Sequence, residues 1–317
     1  MRMAVGEPAH PSERFFYGML AYHLGWVDER FQPARYDAGK RIRPMLCLLA
    51  CAACDGDPAQ ALPAAAAIEL LHNFSLIHDD IQDRSETRRG RPTVWVLWGI
   101  PQAINAGDAL FTIARQALWR LKARHVTLER ILEVAQCFDA ACLQLTQGQY
   151  LDLLFETAER VTVEEYLRMI RGKTAALLRA AVGIGARLAG HPPEDLEAFG
   201  EMLGMAFQIQ DDLLGIWGDP AVTGKPVADD LRARKKTMPI VLAMERIPDF
   251  AERYRNPQIP VEVLIEDITR SGARAEAEAM VATFTQKALA ALECADLRHP
   301  YWKVLRDLVQ VMLSRVR

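Results

Sequence analysis

The sequence predicts an all-α protein, a helical bundle whose functional site lies between facing helices. Apolar residues recur every three or four positions through most of the 317 residues, which is the spacing of amphipathic helices. No sustained alternation of apolar and polar residues is bounded by turn residues, so strands are not indicated. Helix-ending signals such as Gly190-His191-Pro192-Pro193 fall between the periodic segments. We therefore expect one all-α domain over residues 1–317.

The periodic segments place the helices along the chain. We expect them at 14–30, 41–54, 64–83, 101–124, 128–155, 162–189, 194–217, 237–246, 261–270, 273–294 and 300–315. Residues 218–236 form a long polar stretch with glycine and charge, which suits a lid loop over a site better than a plain linker.

Composition excludes several classes of partner. The net charge is −3 and the pI is near 6.2, so no bulk attraction to nucleic acid or anionic membrane is implied. No uninterrupted apolar run reaches ~18 residues, the length of a membrane-spanning helix. The first residues lack the apolar core of a secretory signal. We expect a cytoplasmic location.

Three of the six cysteines have the spacing of an iron–sulfur cluster motif. Cys47, Cys51 and Cys54 have the C-x3-C-x2-C spacing of an iron–sulfur loop, but the residues between them are leucine and alanine, which favour helix. We predict three small buried side chains on one helix face and no disulfide framework.

An acidic cluster ends the apolar segment ALPAAAAIELLHNFSLI. Asp79 and Asp83 lie one helical turn apart and about 40° round the axis, with Asp80 between them. Carboxylates at this spacing repel each other unless a divalent cation binds both. Oxygen ligands without a thiolate suit Mg²⁺, which also binds substrate phosphate. By itself the cluster is equally compatible with a solvated acidic helix end.

A second acidic pair and several basic clusters favour the metal interpretation. Asp211 and Asp212 also close an apolar helix, after GMAFQIQ. Lysine and arginine cluster in GKRIRP, RRGRP, GKT and RARKKT, and both residue types bind phosphate. The set indicates a polyphosphate site that uses Mg²⁺, and the apolar helix running away from the acids indicates an apolar tail on the substrate.

Taken in order, the motifs GKRIRP, ELLHNFSLIHDDIQD, RRGRPTVW, GKTAAL, FQIQDD, GKP and KKT resemble those of the trans-isoprenyl diphosphate synthases, or polyprenyl synthetases, of the short-chain type. The resemblance runs from about Asp37 to Lys236. It implies the all-α isoprenoid synthase fold, a homodimer and three Mg²⁺ per active site. It also implies that isopentenyl diphosphate is joined to an allylic diphosphate.

The resemblance also assigns roles to single residues. It implies Mg²⁺ ligands at Asp79, Asp83, Asp211 and Asp212, with Asp80 in support. The implied isopentenyl diphosphate clamp is Lys40, Arg43, His72 and Arg89. The implied allylic diphosphate ligands are Arg88, Lys173, Thr174, Gln208, Lys225 and Lys235. One departure concerns the second acidic motif, where Gly215 stands at the position of its last aspartate.

Product length depends on the helix below the first acids. Ser75 lies one turn below Asp79, Phe74 stands beside it, and Leu71 lies two turns below, ~11–12 Å along the axis. Because an isoprene unit adds roughly 4–5 Å, a floor near Phe74 and Leu71 stops the chain after a few units. In the family that the sequence resembles, an aromatic residue five positions before the first acidic motif, with no insertion in that motif, goes with short products. The resemblance therefore implies geranylgeranyl diphosphate (C20) as the main product and farnesyl diphosphate (C15) as the next. The alternative is that Phe74 only packs against a neighbouring helix.

Three other functions share some of these features. A class I terpene cyclase of the same fold needs no second diphosphate clamp, which GKRIRP, His72 and Arg89 supply. An HD-type phosphohydrolase could use His72 and His78-Asp79, but it leaves the second acidic pair unexplained. A non-catalytic subunit of a heteromeric synthase would not need intact acids in both motifs.

Overall fold

The computed structural model describes residues 1–37, 39–218, 229–297 and 300–313, and these are mostly helical. Its contacts divide the chain into two compact units. The first comprises Met1–Phe138 with Ile184–His191, and the second comprises Asp139–Gly183 with Pro192–Arg317. The all-α prediction is confirmed. The prediction of a single domain is not tested by this division and remains a prediction.

The elements follow each other in chain order. Up to residue 124 they are α1 (Arg2–Val5), a 3-10 turn (Pro11–Glu13), α2 (Arg14–His23), α3 (Ile42–Ala53), α4 (Pro58–Gln82), the strands β1 (Thr87–Arg88) and β2 (Arg91–Pro92), α5 (Val94–Trp98), α6 (Ile100–Trp119) and a 3-10 turn (Arg120–Arg124). From residue 128 they are α7 (Leu128–Thr157), α8 (Val163–Ile170), a π-helix (Arg171–Ala175), α9 (Ala176–Ala189), α10 (Glu194–Trp217), α11 (Asp229–Arg232), α12 (Met238–Arg246), α13 (Phe250–Arg255), α14 (Val261–Arg270), α15 (Ala273–Cys294) and α16 (Tyr301–Leu313).

In the first unit α4 is the central helix. Asp57 caps it by accepting from the Ala59 backbone N–H, and Pro58 starts its first turn. Buried alanines along α4 allow α3 and α6 to pack closely against it. At the crossing with α6, a Cβ on Gly107 would lie 2.2 Å from His78 Nε2, so only glycine fits there without a shift. This packing fixes the end of α4, where the first acids lie.

In the second unit α10 packs along α15, and the π-helix segment lies against α10. A capping box begins α8, in which Thr162 and Glu165 bond each other's backbone N–H groups. The π-helix passes α7 so closely that a Cβ on Gly148 would meet the Lys173 backbone nitrogen at 2.1 Å. The backbone at Lys173 therefore packs directly against Gly148, and any larger residue at position 148 would push the two segments apart.

The structure corrects several predicted boundaries. The helix predicted at 14–30 ends at His23, because Gly25 takes the left-handed conformation at φ 75° and the chain then forms a bridge between Val27 and Pro33. The helix predicted from 64 begins at Pro58, since Asp57 caps it.

Two further predicted segments are interrupted or lie partly outside the description. The helix predicted at 162–189 is interrupted by the π-helix. Of the stretch 218–236, residues 229–232 are helical, and residues 219–228 lie outside the described residues, so its role as a lid stays a prediction.

Cys47, Cys51 and Cys54 are buried free thiols, as predicted, and burial raises the pKa of Cys51 to about 11 and that of Cys54 to about 12. Among the described residues no helix is both long and apolar enough to cross a membrane.

Candidate functional site

The first acids lie at the C-terminal end of α4. The Asp83 backbone N–H donates to the Asp79 carbonyl at 2.8 Å, which places the two residues one helical turn apart, as predicted. Both are half-buried, whereas Asp80 is only 1% exposed. The three acids therefore differ in environment although they are close in sequence.

Asp80 forms an ion pair with Arg88. Both Nε and Nη2 of Arg88 lie 2.8 Å from Asp80 Oδ1, in a fork-like contact that charged groups favour. Burial raises the pKa of Asp80, and Arg88 opposes this by stabilising the charge. Asp80 Oδ2 is buried without a hydrogen-bond partner among the described residues. An unpartnered carboxylate oxygen beside two further acids fits a cation or its water shell.

A short hairpin brings the arginines to this helix end. Strand β1 pairs antiparallel with β2, and the turn residues Arg89 and Gly90 have φ of 53° and 71°, which are values of a type I′ turn. The turn directs Arg88 toward Asp80. It also brings the Arg89 guanidinium against Gly39, where a Cβ would lie 2.7 Å from Arg89 Nη2. Arg89 is thus next to the loop that carries Lys40, an exposed residue.

The remaining clamp residues lie on α3 and α4. Arg43 Nη1 is 3.3 Å from His72 Nε2. Burial, followed by the charges of Arg43, Arg89 and Arg88, holds the pKa of His72 well below its usual range, so the ring is neutral. The first unit therefore brings Arg43, His72, Arg88 and Arg89 close together. Their roles as ligands of the two diphosphates remain predictions.

Three residues of this site were missed by sequence reasoning. Glu69 is 3% exposed; burial raises its pKa, and the charge of Arg43 opposes that rise. Asn73 donates to Glu69 Oε1 at 3.2 Å and to its carbonyl at 2.8 Å. The sequence did contain a signal for Glu69, because a glutamate stands inside an apolar helix there, three residues before His72. His23, from the end of α2, lines a small cleft with Asp37, Asp80, Arg88 and Arg89, and no sequence signal pointed to it.

The residues predicted to set chain length lie on α4 below the acids. Leu71 is fully buried and Ser75 is 8% exposed, with its hydroxyl donating to the His72 carbonyl at 2.9 Å. The Phe74 ring lies 5.2 Å from that of Phe111 on α6 and 4.9 Å from that of His78. Phe111 was not predicted, because its contact with α4 depends on the helix crossing.

In the second unit a chain of polar contacts joins the predicted residues. Lys173 Nζ forms an ion pair with Asp152 Oδ2, an acid that the sequence analysis missed. The Thr174 hydroxyl donates to Gln208 Oε1 at 2.6 Å, and Gln208 Nε2 donates to Asp212 Oδ1 at 3.1 Å. Lys173 and Thr174 lie on the π-helix, a form that occurs frequently at functional sites.

The two acids of the second pair differ sharply. Asp211 is exposed, while Asp212 is 4% exposed and accepts hydrogen bonds from the Tyr166 hydroxyl, the Met238 backbone and Gln208. Burial raises the pKa of Asp212 to about 7, against the lowering effect of these donors. Lys235 is half-buried, and Lys225 lies outside the described residues.

A metal ion would need ligands beyond the protein. Among the described residues no group of three or more His, Cys, Asp or Glu side chains is arranged to hold one. Mg²⁺ commonly binds through one or two carboxylates and completes its shell with water and substrate phosphate. The half-buried pair Asp79 and Asp83, with the open oxygen of Asp80, fits that mode of binding.

Comparison with known proteins identifies the family. Residues 26–258 match the polyprenyl synthetase family. The chain is 48% identical over 225 residues to (2E,6E)-farnesyl diphosphate synthase of Mycobacterium tuberculosis, a match covering 70% of this chain and 61% of that protein. It is 45% identical over 262 residues to geranylgeranyl diphosphate synthase of the same species, covering 80% and 73%. The chain is a member of the polyprenyl synthetase family.

Solved structures agree with this assignment. The crystal structure of polyprenyl synthetase from Streptomyces coelicolor A3(2) has a TM-score of 0.89 and 36% identity, covering 98% of this chain and 94% of that one. Geranylgeranyl pyrophosphate synthase from Corynebacterium glutamicum, complexed with isoprenyl diphosphate and magnesium, has a TM-score of 0.79 and 31% identity, covering 87% of each chain. The all-α isoprenoid synthase fold and the family resemblance predicted from the sequence are thereby confirmed. The matched region spans about 61% of the mycobacterial farnesyl diphosphate synthase.

The electrostatics around His23 predict a pH dependence of stability. Burial and the nearby charges of Arg88 and Arg89 lower its pKa from 6.5 to about 3. The folded state therefore binds fewer protons than the unfolded state between these values. Stability present above pH 6.5 is lost as the pH falls, by at most about 2 kcal/mol from pH 7 to pH 5.

The measurement is urea unfolding of the wild type, His23→Gln and His10→Gln at pH 7 and pH 5. We expect His23→Gln to lose less free energy of unfolding than the wild type. His10 is exposed, so its variant should follow the wild type. Parallel losses in all three proteins would contradict the placement of a neutral His23 among the arginines.

Proposed function

We propose that this protein is a Mg²⁺-dependent short-chain trans-prenyltransferase that joins isopentenyl diphosphate to an allylic diphosphate. The observation that carries the proposal is the helix end of α4, where Asp79 and Asp83 lie beside the Asp80–Arg88 ion pair and the electropositive site of Arg43 and Arg89. Carboxylates and arginines held side by side suit a metal diphosphate, which carries both signs of charge. The names of the mycobacterial relatives support the same chemistry.

The proposed reaction starts with cleavage of the allylic carbon–oxygen bond. Negative charge then develops on the departing diphosphate, and preorganised donors lower the barrier by binding that charge. When bound, Mg²⁺ supplies additional charge stabilisation at the same oxygens. We assign the allylic diphosphate to Arg88, Lys173, Thr174, Gln208, Lys225 and Lys235. Three Mg²⁺ per site remain part of the proposal.

The second substrate needs its own site. We assign isopentenyl diphosphate to Lys40, Arg43, His72 and Arg89, of which Arg43 and His72 lie 3.3 Å apart. His72 is neutral, so it can donate one hydrogen bond to a phosphate oxygen without adding charge. The double bond of this substrate attacks the allylic cation, which leaves the positive charge on the other carbon of that double bond. A carbon next to this cation then loses a proton, and the C–H electron pair forms the new double bond. The departing diphosphate can accept that proton, so no side-chain base is required.

We also propose a homodimer. Leu143, Tyr150 and Leu154 of α7 are 60%, 63% and 47% exposed. Their spacings of seven and four residues place them on one face of the helix. An exposed apolar face on a long helix supports self-association.

The assay that tests the function follows labelled isopentenyl diphosphate into longer prenyl diphosphates, with an allylic diphosphate and Mg²⁺. We expect elongation by the wild type and a loss of turnover of at least ~10²-fold in Asp79→Ala and in Asp211→Ala, the scale for one charge-stabilising group. Asp307→Ala, an exposed acid on α16, is the control and should keep its activity.

The same assay distinguishes the other candidate functions by their products. A cyclase would release a hydrocarbon or alcohol from the allylic substrate alone, and a non-catalytic subunit would give no product. Near wild-type rates in both aspartate variants at saturating Mg²⁺ would contradict the metal assignment.

We propose geranylgeranyl diphosphate (C20) as the main product, with farnesyl diphosphate (C15) next. The contact between Phe74 and Phe111 forms a pair of rings below the acids, which we take as the floor that limits the chain. Phe74→Ala should lengthen the product by one or more isoprene units, and Ser75→Phe should shorten it, because each changes the space under Asp79. Mass spectrometry of the products measures both.

Phe15→Ala, which removes an exposed ring far along the sequence from α4, serves as the control. Its product distribution should match that of the wild type. An unchanged distribution in both Phe74→Ala and Ser75→Phe would show that other residues set the chain length.

A further inference from the structure

We propose that Tyr166 is a positioning residue that acts through Asp212 to hold the allylic diphosphate donors in place. The proposal rests on the proposed function. Tyr166 is 1% exposed on α8, and its hydroxyl donates to Asp212 Oδ2. None of the sequence motifs includes this tyrosine.

The hydrogen bonds at Asp212 explain its role. Oδ2 accepts from Tyr166 and also from the Met238 backbone N–H at 2.9 Å, while Oδ1 accepts from Gln208 at 3.1 Å. A carboxylate oxygen has two lone pairs, so Oδ2 is fully used. A buried carboxylate needs such donors, because burying the charge without them is costly. Asp212 therefore accepts from protein donors on three elements, and one lone pair, on Oδ1, is not used by them.

These donors lead to the residues that are proposed to bind the allylic diphosphate. Gln208 accepts from Thr174, which follows Lys173 on the π-helix. Met238 begins α12 and comes three residues after Lys235. The Lys235 carbonyl is held by the Tyr254 hydroxyl at 2.6 Å, so Lys235 lies between two anchored points. One carboxylate thus ties together the backbone near Lys173 and the backbone near Lys235.

This arrangement gives Asp211 and Asp212 different roles. The family resemblance implied that Asp211 and Asp212 both bind Mg²⁺, but a metal at Asp212 Oδ2 would have to displace the Tyr166 or Met238 donor. Asp211 is exposed and is available to a cation. With Gly215 in place of the last aspartate, we assign the metal contact of this motif to Asp211 and the positioning role to Asp212.

The kinetic test uses Tyr166→Phe, which keeps the ring and removes only the hydroxyl. We expect the KM for the allylic diphosphate to rise about 10-fold, the scale of one hydrogen bond to a charged group. The KM for isopentenyl diphosphate should stay unchanged, since that substrate is assigned to other residues. The control is Tyr301→Phe, which removes the hydroxyl of an exposed tyrosine on α16 and should leave the allylic KM unchanged.

A second measurement does not depend on turnover. Calorimetry with inorganic pyrophosphate and increasing Mg²⁺ gives the Mg²⁺ concentration needed for half-maximal binding. We expect Asp211→Asn to raise it about 10-fold or more and Asp212→Asn to leave it within about twofold of the wild type. This measurement distinguishes the roles of Asp211 and Asp212 even if Tyr166→Phe does not fold.

Different results would contradict the role of Tyr166 and the proposed prenyltransferase activity. If the wild type elongates prenyl chains but Tyr166→Phe only lowers Tm, or raises both KM values equally, the hydroxyl is structural and the inference is wrong. If Asp212→Asn raises the Mg²⁺ requirement as much as Asp211→Asn, Asp212 is a metal ligand. A wild type without any prenyl product would instead contradict the proposed function.

Discussion

The ion pair between Asp80 and Arg88 is the interaction on which the first unit's site depends. A carboxylate that is 1% exposed would be costly to bury alone, and the two contacts of 2.8 Å from one guanidinium supply its counter-charge. The same pair fixes the hairpin to the end of α4, which sets the position of Arg89. Asp79 and Asp83, one turn apart, are then left beside an arginine-rich site, with mutual repulsion that a cation relieves.

In the second unit, the buried carboxylate of Asp212 is stabilised in a different way. Asp212 is buried without an ion pair to any cationic side chain of the described residues, and neutral donors from Tyr166, Gln208 and the Met238 backbone hold its charge. Neutral donors stabilise a carboxylate less than a guanidinium does, which agrees with a pKa raised to about 7. In each motif one acid, Asp80 or Asp212, is therefore buried and bonded to protein donors, while the other acids are more exposed.

Much of this could be predicted from the sequence, and the reasons for the failures are physical. Helical periodicity identified the long helices, and the spacing of Asp79 and Asp83 placed them on one face. The periodicity did not show that α2 stops at His23, because Gly25 ends the helix through its backbone rather than through a polar break. Nor did it reveal the π-helix, which Gly148 and Gly172 permit by close contact with other backbone.

Side-chain pairing was the least predictable part of the site. A run such as Asp79-Asp80 does not say which acid turns inward, since that depends on the hairpin that carries Arg88. The pairs of Lys173 with Asp152 and of Tyr166 with Asp212 join residues that are far apart in the sequence. Motifs therefore gave the composition of the candidate site, and only the fold showed which members hold the others in place.

If Asp79 and Asp83 bind Mg²⁺ beside Arg43, Arg88 and Arg89, then Mg²⁺ and diphosphate must bind cooperatively. Calorimetric titration of the wild-type protein with inorganic pyrophosphate, in excess EDTA and then in saturating Mg²⁺, tests it most directly. Since coupling between two ligands is reciprocal, Mg²⁺ should tighten pyrophosphate binding and pyrophosphate should tighten Mg²⁺ binding by the same factor, of about 10-fold or more. Equal pyrophosphate affinity with and without Mg²⁺ would contradict the account.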